Sequence, residues 1–436
     1  MPQSAAWARC GPGTGLAKPM AAAMLYRWLR GMVMSELAAI RQRVKRFVED
    51  RVYPAEPVFD EGDAVTARAT MQELMAEAKR QGLWALGHPV EIGGQGMKFM
   101  DYVFINEVIG RSQHAQVALG THSLQDSIML NLYAAPKWRE AYLKPLVAGE
   151  IFPSFAMTEP DIASSDPTQL MTTATLEGEE WVIRGRKWFT TGAAGAEYTT
   201  VMCRTEPEGT PAHAAFSMIV VPTKTPGYRI IRDTPVLGLK HGLSGHYEVA
   251  YDDVRVPAEN LLGPRGAGFL IAQKRLGPGR IFHCMRWLGQ AQRAFDLMCR
   301  RLHERTAFGE KLADKQLMQK HVFDSAAEIQ ACRLLTLDAA KKIDAGDEAR
   351  VEIGMIKVVG AQMVHNVADR AIQVFGAKGL TPDTPLHIIY RHAREARIYD
   401  GPDEVHITSV AKRLLKTYAG NGPGIDFGAR DTAVLP

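Results

Sequence analysis

The stretch Phe155-Ala-Met-Thr-Glu-Pro-Asp-Ile-Ala-Ser-Ser-Asp166 divides the chain. Before it the pattern is helical; after it short β-rich segments begin. The stretch itself sets hydroxyls, a proline and acids in a turn-like setting. Its side chains and backbone N–H groups are of the kind that hydrogen-bond a polar heterocycle.

Working outward, Leu37, Ile40, Val44 and Phe47 recur at the spacing of one helix face. Met71 to Gln81 is rich in helix formers. Pro89, Gly93, Gly94 and Gly96 mark a loop over His88–Met97, and Tyr102–Ile109 reads as helix again. Downstream, Met171–Leu176, Trp181–Thr190, Thr199–Cys203, Phe216–Val221, Tyr228–Ile231 and Tyr247–Val256 read as strands. They predict a small antiparallel barrel or sandwich ending near Leu262. From Ala267 the pattern is helical. Val322, Ala326, Ile329, Leu337 and Ala340 are expected on one face, and Ile353, Ile356, Gly360, Met363, Val367 and Val374 on another, with a polar link at Asp344–Glu348.

Helices, then strands, then helices imply segregated α+β domains rather than alternating βαβ units. The expected division is 34–152 helical, 153–264 β, 265–419 helical bundle, with residues 1–33 and 420–436 as tails. No G-x-G-x-x-G follows a strand, so a Rossmann nucleotide site is not indicated.

The 436 residues are 46% hydrophobic and 23% charged, with a net charge of +4. That is a globular, multidomain chain with no case for nucleic-acid binding. Its five cysteines are scattered, which argues against a structural metal site. No apolar run is long enough for a transmembrane helix. Residues 1–33 carry Arg9, Lys18, Arg27 and Arg30, and no acid precedes Glu36. Such composition suits an organelle transit peptide, yet Gly11 to Gly15 would interrupt its helix. The reading favoured is a tail, or a natural start at Met32 or Met34. The expected compartment is cytoplasmic for a bacterial protein and an organelle matrix if the segment is a transit peptide.

Six segments, in order, carry a resemblance to a known family. Thr158-Glu159-Pro160 with Ser165-Asp166 resembles the T-E-P…S-D flavin segment of acyl-CoA dehydrogenases, with one extra residue. Arg186-Lys187-Trp188-Phe189-Thr190-Thr191-Gly192 is similar to [KR]-x-W-[IF]-[ST]-x-G. Glu304-Arg305-Thr306-Ala307-Phe308-Gly309 with Gln316 resembles E-R-x-x-F-G-x(6)-Q, and Gln373-Val374-Phe375-Gly376 resembles Q-x-[FY]-G. Leu143–Glu150 and Val254–Gly263 also fit. The chain is thereby identified as a member of that family over roughly residues 37–418.

The resemblance implies an N-terminal helical domain, a middle antiparallel β-domain and a C-terminal four-helix bundle, with FAD as cofactor. It implies that Met157, Thr158, Ser165, Trp188 and Thr190 meet the flavin, Ser165 also lining the substrate pocket. It implies that Arg305 meets the FAD pyrophosphate, and that Phe308, Gln316, Gln373 and Gly376 lie around the pyrophosphate and adenosine, partly from a neighbouring subunit. A homodimer or homotetramer follows. Ala307 and Ala377 replace a hydroxyl and a glycine of the family pattern.

The family's base lies in a Y-E-G-[TS] segment. This chain reads Ile398-Tyr399-Asp400-Gly401-Pro402-Asp403-Glu404-Val405-His406, placing Asp400 where the glutamate stands. The reaction implied removes the α proton of an acyl-CoA through a carboxylate whose pKa burial is expected to raise. The β hydrogen leaves as hydride, and a trans-2-enoyl thioester results. The Asp400 backbone N–H is expected to hold the thioester oxygen. Gly401 and Arg280 are expected beside the substrate, and Glu404 near the flavin. Aspartate is shorter than glutamate by one methylene, about 1.5 Å of reach. Gly279 leaves no carboxylate at the alternative position used by some members. The segment from Asp400 to His406, with Leu276–Arg286, resembles the branch fused to aminoglycoside-phosphotransferase-like kinases and its free-standing bacterial relatives.

Asp403 and Glu404 would approach Asp400 if the segment were helical. Asp403 is read as an acid favouring the helix dipole, Glu404 as a minor rival base, and His283 as a packing residue. The expected electron acceptor is an electron-transferring flavoprotein. The competing readings are an oxidase on the same fold, acyl-CoA- or nitroalkane-oxidising, and a catalytically silent binding protein.

Overall fold

The computed structural model describes residues 35–239 and 245–427. The readings of residues 1–33 and of the last residues of the C-terminal tail lie outside these. Helices α1 (Glu36–Phe47), α2 (Tyr53–Asp60), α3 (Ala64–Arg80), α4 (Phe99–Ile109) and α5 (Leu124–Tyr133) form the first part. Ser35 Oγ accepts from Ala38 N–H at 3.2 Å, and Asp63 Oδ1 accepts from Val65 and Thr66 N–H at 2.9 Å. These side chains satisfy N–H groups that α1 and α3 leave unpaired. Val44 and Phe47 of α1 are buried, with Leu37 and Ile40 packed at the edge.

Eight strands follow: β1 (Pro153–Ala156), β2 (Thr173–Glu177), β3 (Glu180–Thr191), β4 (Tyr198–Arg204), β5 (Phe216–Pro222), β6 (Tyr228–Asp233), β7 (His246–Pro257) and β8 (Leu261–Leu262). They make one sheet in the order β6-β7-β3-β1-β4-β5-β8, with β2 beside β3. The sheet is mostly antiparallel. The exceptions are β2, which meets β4 in parallel at Thr173↔Arg204, and β1, which sequence reading took as part of a turn: it pairs parallel to β4, from Pro153↔Tyr198 to Ala156↔Val201. The four residues of β1 are too few to show alternation, which is why this strand was not legible.

The last part holds α6 (Gly268–Glu304), α7 (Gln316–Asp344), α8 (Arg350–Phe375), α9 (Leu386–Ala396) and α10 (Asp403–Thr417). The stripe expected on α8 is buried throughout. A Cβ on Gly360 would stand 3.1 Å from the Trp287 ring, so the missing side chain lets α6 and α8 approach closely. The stripe on α7 is displaced from the one expected. Ala326 is exposed, and the buried line runs through Ser325, Ile329, Cys332, Thr336, Ala339 and Ala340. Hydrophobicity does not mark this line because Thr336 hides its polarity by donating Oγ1–H to the Cys332 carbonyl at 2.8 Å. The two helical regions share one continuous apolar core, and one face of the sheet has a second. Among the described residues no helix is long and apolar enough to cross a membrane.

Candidate active site

The site begins with a bulge in β3. Its pairing with β7 slips between Lys187 and Thr190, and Phe189 takes a left-handed conformation at φ 49°. Bulges re-aim side chains. Here the slip puts Lys187 and Thr190, three apart, both inside. It leaves Trp188 half-buried, its ring edge-on to Phe189 at 4.8 Å.

The segment after β1 is fastened to this bulge. Trp188 N–H donates to the Thr158 carbonyl at 3.0 Å, and Thr158 Oγ1–H donates to the Trp188 carbonyl at 2.7 Å. The Thr158 hydroxyl proton is therefore committed to the backbone. Beneath, the fully buried Lys187 Nζ donates to the Met157 carbonyl at 2.9 Å and to Glu159 Oε1 at 2.8 Å. Glu159 also accepts from Met171 and Thr172 N–H. Burial pushes the Glu159 carboxyl up, but Lys187 and these N–H groups hold it below its ordinary value. Sequence reading missed this ion pair. Ser164 turns inward to the Glu159 backbone, at 2.9 Å from its N–H, while Ser165 is exposed beside it.

Asp400 lies in the turn between α9 and α10. It is left-handed at φ 54°, and Gly401 follows at φ 97°. Aspartate tolerates that conformation better than most residues. The turn is held from two helices: the Asp400 carbonyl accepts from Arg280 Nη2 at 3.1 Å and from His406 Nε2 at 3.0 Å. A Cβ at position 401 would stand 2.8 Å from His406 Nε2, so glycine is required twice over.

The Asp400 carboxylate meets His283 Nε2 at 3.1 Å. His283 is thus a hydrogen-bond partner of Asp400 as well as a packing residue, correcting the sequence reading. The expected upward pKa shift is also corrected. Burial does push the carboxyl up, but His283, Arg280 and Arg275 outweigh it and hold it well below the ordinary carboxylate range. Helix α10 starts only at Asp403, so the three acids do not share a face. Asp403 is buried, accepting from Arg397 Nε at 2.8 Å with Lys357 Nζ at 3.9 Å; it is an interior ion-pair partner rather than a dipole acid. Glu404 is exposed.

Two contacts link the two half-sites. Arg275 of α6 lies 4.5 Å over the Phe155 ring of β1. His246 stands 2.9 Å from Thr191 Oγ1 and within electrostatic reach of Glu395 and His392, just before the Asp400 turn.

Comparison with known proteins fits this arrangement. Residues 34–150, 154–254 and 266–415 match the N-terminal, middle and C-terminal domain models of acyl-CoA dehydrogenase. The chain belongs to the acyl-CoA dehydrogenase family. It is 43% identical over 388 residues to FadE2 of Mycobacterium tuberculosis, named as an acyl-CoA dehydrogenase, covering 86% of this chain and 94% of that protein. It is 38% identical to acyl-CoA dehydrogenase family member 11 of the rat, over 86% of this chain but only 50% of that one. The chain therefore spans half the length of that relative. A solved acyl-CoA dehydrogenase-family structure from Mycobacterium abscessus is 36% identical with a TM-score of 0.84, covering 88% of this chain and 99% of the other. This acyl-CoA dehydrogenase is an oxidoreductase with the family's three-part architecture and FAD cofactor.

The residues present fit a flavin. Thr190 Oγ1 is buried beside Trp188 with no hydrogen-bond partner among the described residues, a hydroxyl that a ring heteroatom would satisfy. The other expected cofactor residues lie elsewhere. Arg305 ends α6 and leads into a hairpin, Thr306–Ala307 against Glu310–Lys311. Its turn is Phe308-Gly309, with φ values of 55° and 79°, and Phe308 is 98% exposed. Gln316, Gln373 and Gly376 are exposed as well. Arg301, one turn before Arg305, lies 5.4 Å over the Phe375 ring, so the hairpin and the Gln373–Gly376 segment share one end of the bundle. Twenty-five residues of helix separate Arg280 from Arg305, about 35 Å. Within one chain this second group is remote from Asp400.

Against Arg275 lies a polar cluster that sequence reading did not find. Asp126 pairs with Arg275 at 3.2 Å, His88 Nε2 meets Ser123 Oγ at 3.2 Å, and both His122 ring nitrogens are buried, with the Gln116 backbone beside the ring. Burial pushes His88 and His122 down to about 4, the neighbouring His122 adding to the effect at His88 while Asp126 and the Gln116 backbone oppose it at His122. Unfolding frees both to bind protons at their ordinary value near 6.5. Their contribution to stability is thus fully present above about pH 6.5 and is lost as pH falls toward about 4, by up to about 3 kcal/mol for each. We expect the unfolding temperature to drop over that interval, and the drop to shrink in His88→Asn/His122→Asn. Parallel curves for the two proteins would refute the assignment.

Proposed function

We propose that Asp400 is the base of an α,β-dehydrogenation of acyl-CoA to trans-2-enoyl-CoA, with electrons passed on to an electron-transferring flavoprotein. The observation that carries this is the Asp400 carboxylate itself: held below the ordinary carboxylate range, anchored through His283 and 24% exposed, with Arg275, one of the cations acting on it, lying over the Phe155 ring of β1. FAD, when bound, supplies the hydride acceptor. Met157, Thr158, Ser165, Trp188 and Thr190 would hold its ring. The chain's own part is to take the α proton on a carboxylate oxygen and to present the Asp400 backbone N–H toward the thioester oxygen. Arg280 fixes that backbone. A bound acyl chain covers the exposed part of Asp400, removes water and raises its proton affinity at the moment of transfer. Gly401 would keep the approach open, and the exposed Ser165 would line the substrate's path. Glu404, being exposed, is set aside as a rival base.

We also propose a homo-oligomer in which Arg305, Phe308, Gln316, Gln373 and Gly376 serve the pyrophosphate and adenosine of a neighbouring chain's FAD. The support is their distance from Asp400 and the bare Phe308 at the hairpin tip, since isolated chains rarely hold a large apolar residue so exposed in a left-handed turn. Anaerobic addition of butyryl-, octanoyl- and palmitoyl-CoA is expected to bleach the flavin with at least one of them. Turnover with oxygen as the sole acceptor, giving peroxide, would favour the oxidase reading instead. A colourless protein that bleaches with none would favour the silent one.

A further inference from the structure

We infer that His283 is a positioning residue for Asp400, held by Arg286 as a neutral imidazole that donates Nε2–H to one carboxylate oxygen and so leaves the other to receive the α proton. The inference rests on Asp400 being the base. Three contacts in line carry it. Arg286 Nη2 stands 2.8 Å from His283 Nδ1, and His283 Nε2 stands 3.1 Å from Asp400 Oδ2. A guanidinium can only donate, so Nδ1 must accept and the single ring proton must sit on Nε2, facing the carboxylate. The imidazole plane is fixed as well: it lies 5.9 Å from the Trp287 ring and 5.2 Å from the Tyr399 ring, and Trp287 Nε1–H donates to Tyr399 Oη at 2.9 Å. Burial and Arg286 both lower the proton affinity of His283, which keeps it neutral beside the carboxylate. Asp400 Oδ2 is thereby occupied. After transfer the new O–H resides on Oδ1 and Oδ2 continues to accept from His283, so no second proton movement is needed. A half-buried aspartate one methylene short of glutamate gains a fixed orientation from this tether.

The charged and titratable groups facing Asp400 are Arg275, Arg280, His283 and Arg286 from α6, Lys357 from α8, Tyr399 from its own turn and His406 from α10. Removing the His283 donor destabilises the carboxylate and must raise its pKa. The test is anaerobic flavin reduction against pH in the FAD-loaded enzyme, using whichever of butyryl-, octanoyl- or palmitoyl-CoA reacts fastest. His283→Leu should slow reduction about 10-fold or more at neutral pH, with the acid limb moved to higher pH and substrate Kd little changed. His283→Gln carries an amide N–H at nearly the reach of Nε2 and should restore most of both. Nitrogen-15 histidine spectra of the wild-type enzyme should show His283 with Nε2 protonated and Nδ1 bare. The inference is overturned by a wild-type rate and limb in His283→Leu, by a Gln variant as impaired as Leu while keeping FAD and unfolding temperature, or by the opposite tautomer. Asp400→Asn, run alongside, separates the two ideas: if it reduces flavin normally the base assignment has failed, whereas an inert Asp400→Asn beside an unaffected His283→Leu sinks the positioning role alone.

Discussion

Asp400→Asn should bind FAD and acyl-CoA normally and reduce its flavin at least about 10²-fold more slowly, up to about 10⁴-fold if the base contributes at the upper end of its usual range. The substitution is nearly isosteric. The anchors of the turn, Arg280 and His406, bind the backbone carbonyl and are untouched. His283 donates, so it should select the amide oxygen and turn the amide NH₂ toward the substrate, where no lone pair is available for the α proton. Asp400→Glu is the sharper companion: the longer arm reaches further but displaces the oxygen that His283 holds, so partial activity is expected. Glu404→Gln should stay within several-fold of wild type, because that side chain is exposed on the first turn of α10. Stopped-flow bleaching of the three proteins decides the matter. A normal rate in Asp400→Asn with a crippled Glu404→Gln would move the base one helical turn onward.

The second large effect concerns folding. Lys187→Met or Glu159→Gln should each cost about 3–5 kcal/mol, since each strands a buried charge or donor. Lys187 has no exposed surface, and Glu159 is 3% exposed. The loss should also loosen the flavin, because this pair ties the Met157–Glu159 segment to the Trp188 bulge. The double variant should recover much of the loss, as no lone charge remains. Denaturant midpoints with FAD content measure both. Single variants within about 1 kcal/mol of wild type would show that the pair does not fasten the site.

Much of this was legible in the sequence, for physical reasons. The stripe on α8 is uniformly apolar and long, so its period shows. The bulge residues Trp188 and Thr190 and the turn residue Asp400 stand in segments whose resemblance fixed their place. What was not legible depends on geometry that period-two and period-3.6 patterns cannot express. Lys187 reads as a surface cation of a strand although it shares the inward face of Trp181 and Ile183, and the bulge after it turns Thr190 inward as well. His283 was read as packing because nothing local ties it to Asp400, 117 positions later. His88, His122 and Asp126 belong to loops and a short helix with no diagnostic spacing, and they converge only in the folded chain. The proton affinity of Asp400 was expected in the wrong direction because burial was weighed without the cations that α6 brings beside it.

The length of α6 has a genetic consequence. If Asp400 is the base and the hairpin after α6 serves a neighbour's FAD, as proposed, then the stretch of α6 between Arg280 and Arg305, about 35 Å, means that a chain would own half of two different sites. A lesion at Asp400 would silence the carrier's own centre, whereas a lesion in the hairpin would silence its neighbour's. Two alleles, each null by itself, could then complement in a mixed assembly. One bad hairpin allele, expressed beside a good copy, would act dominantly by disabling sound subunits.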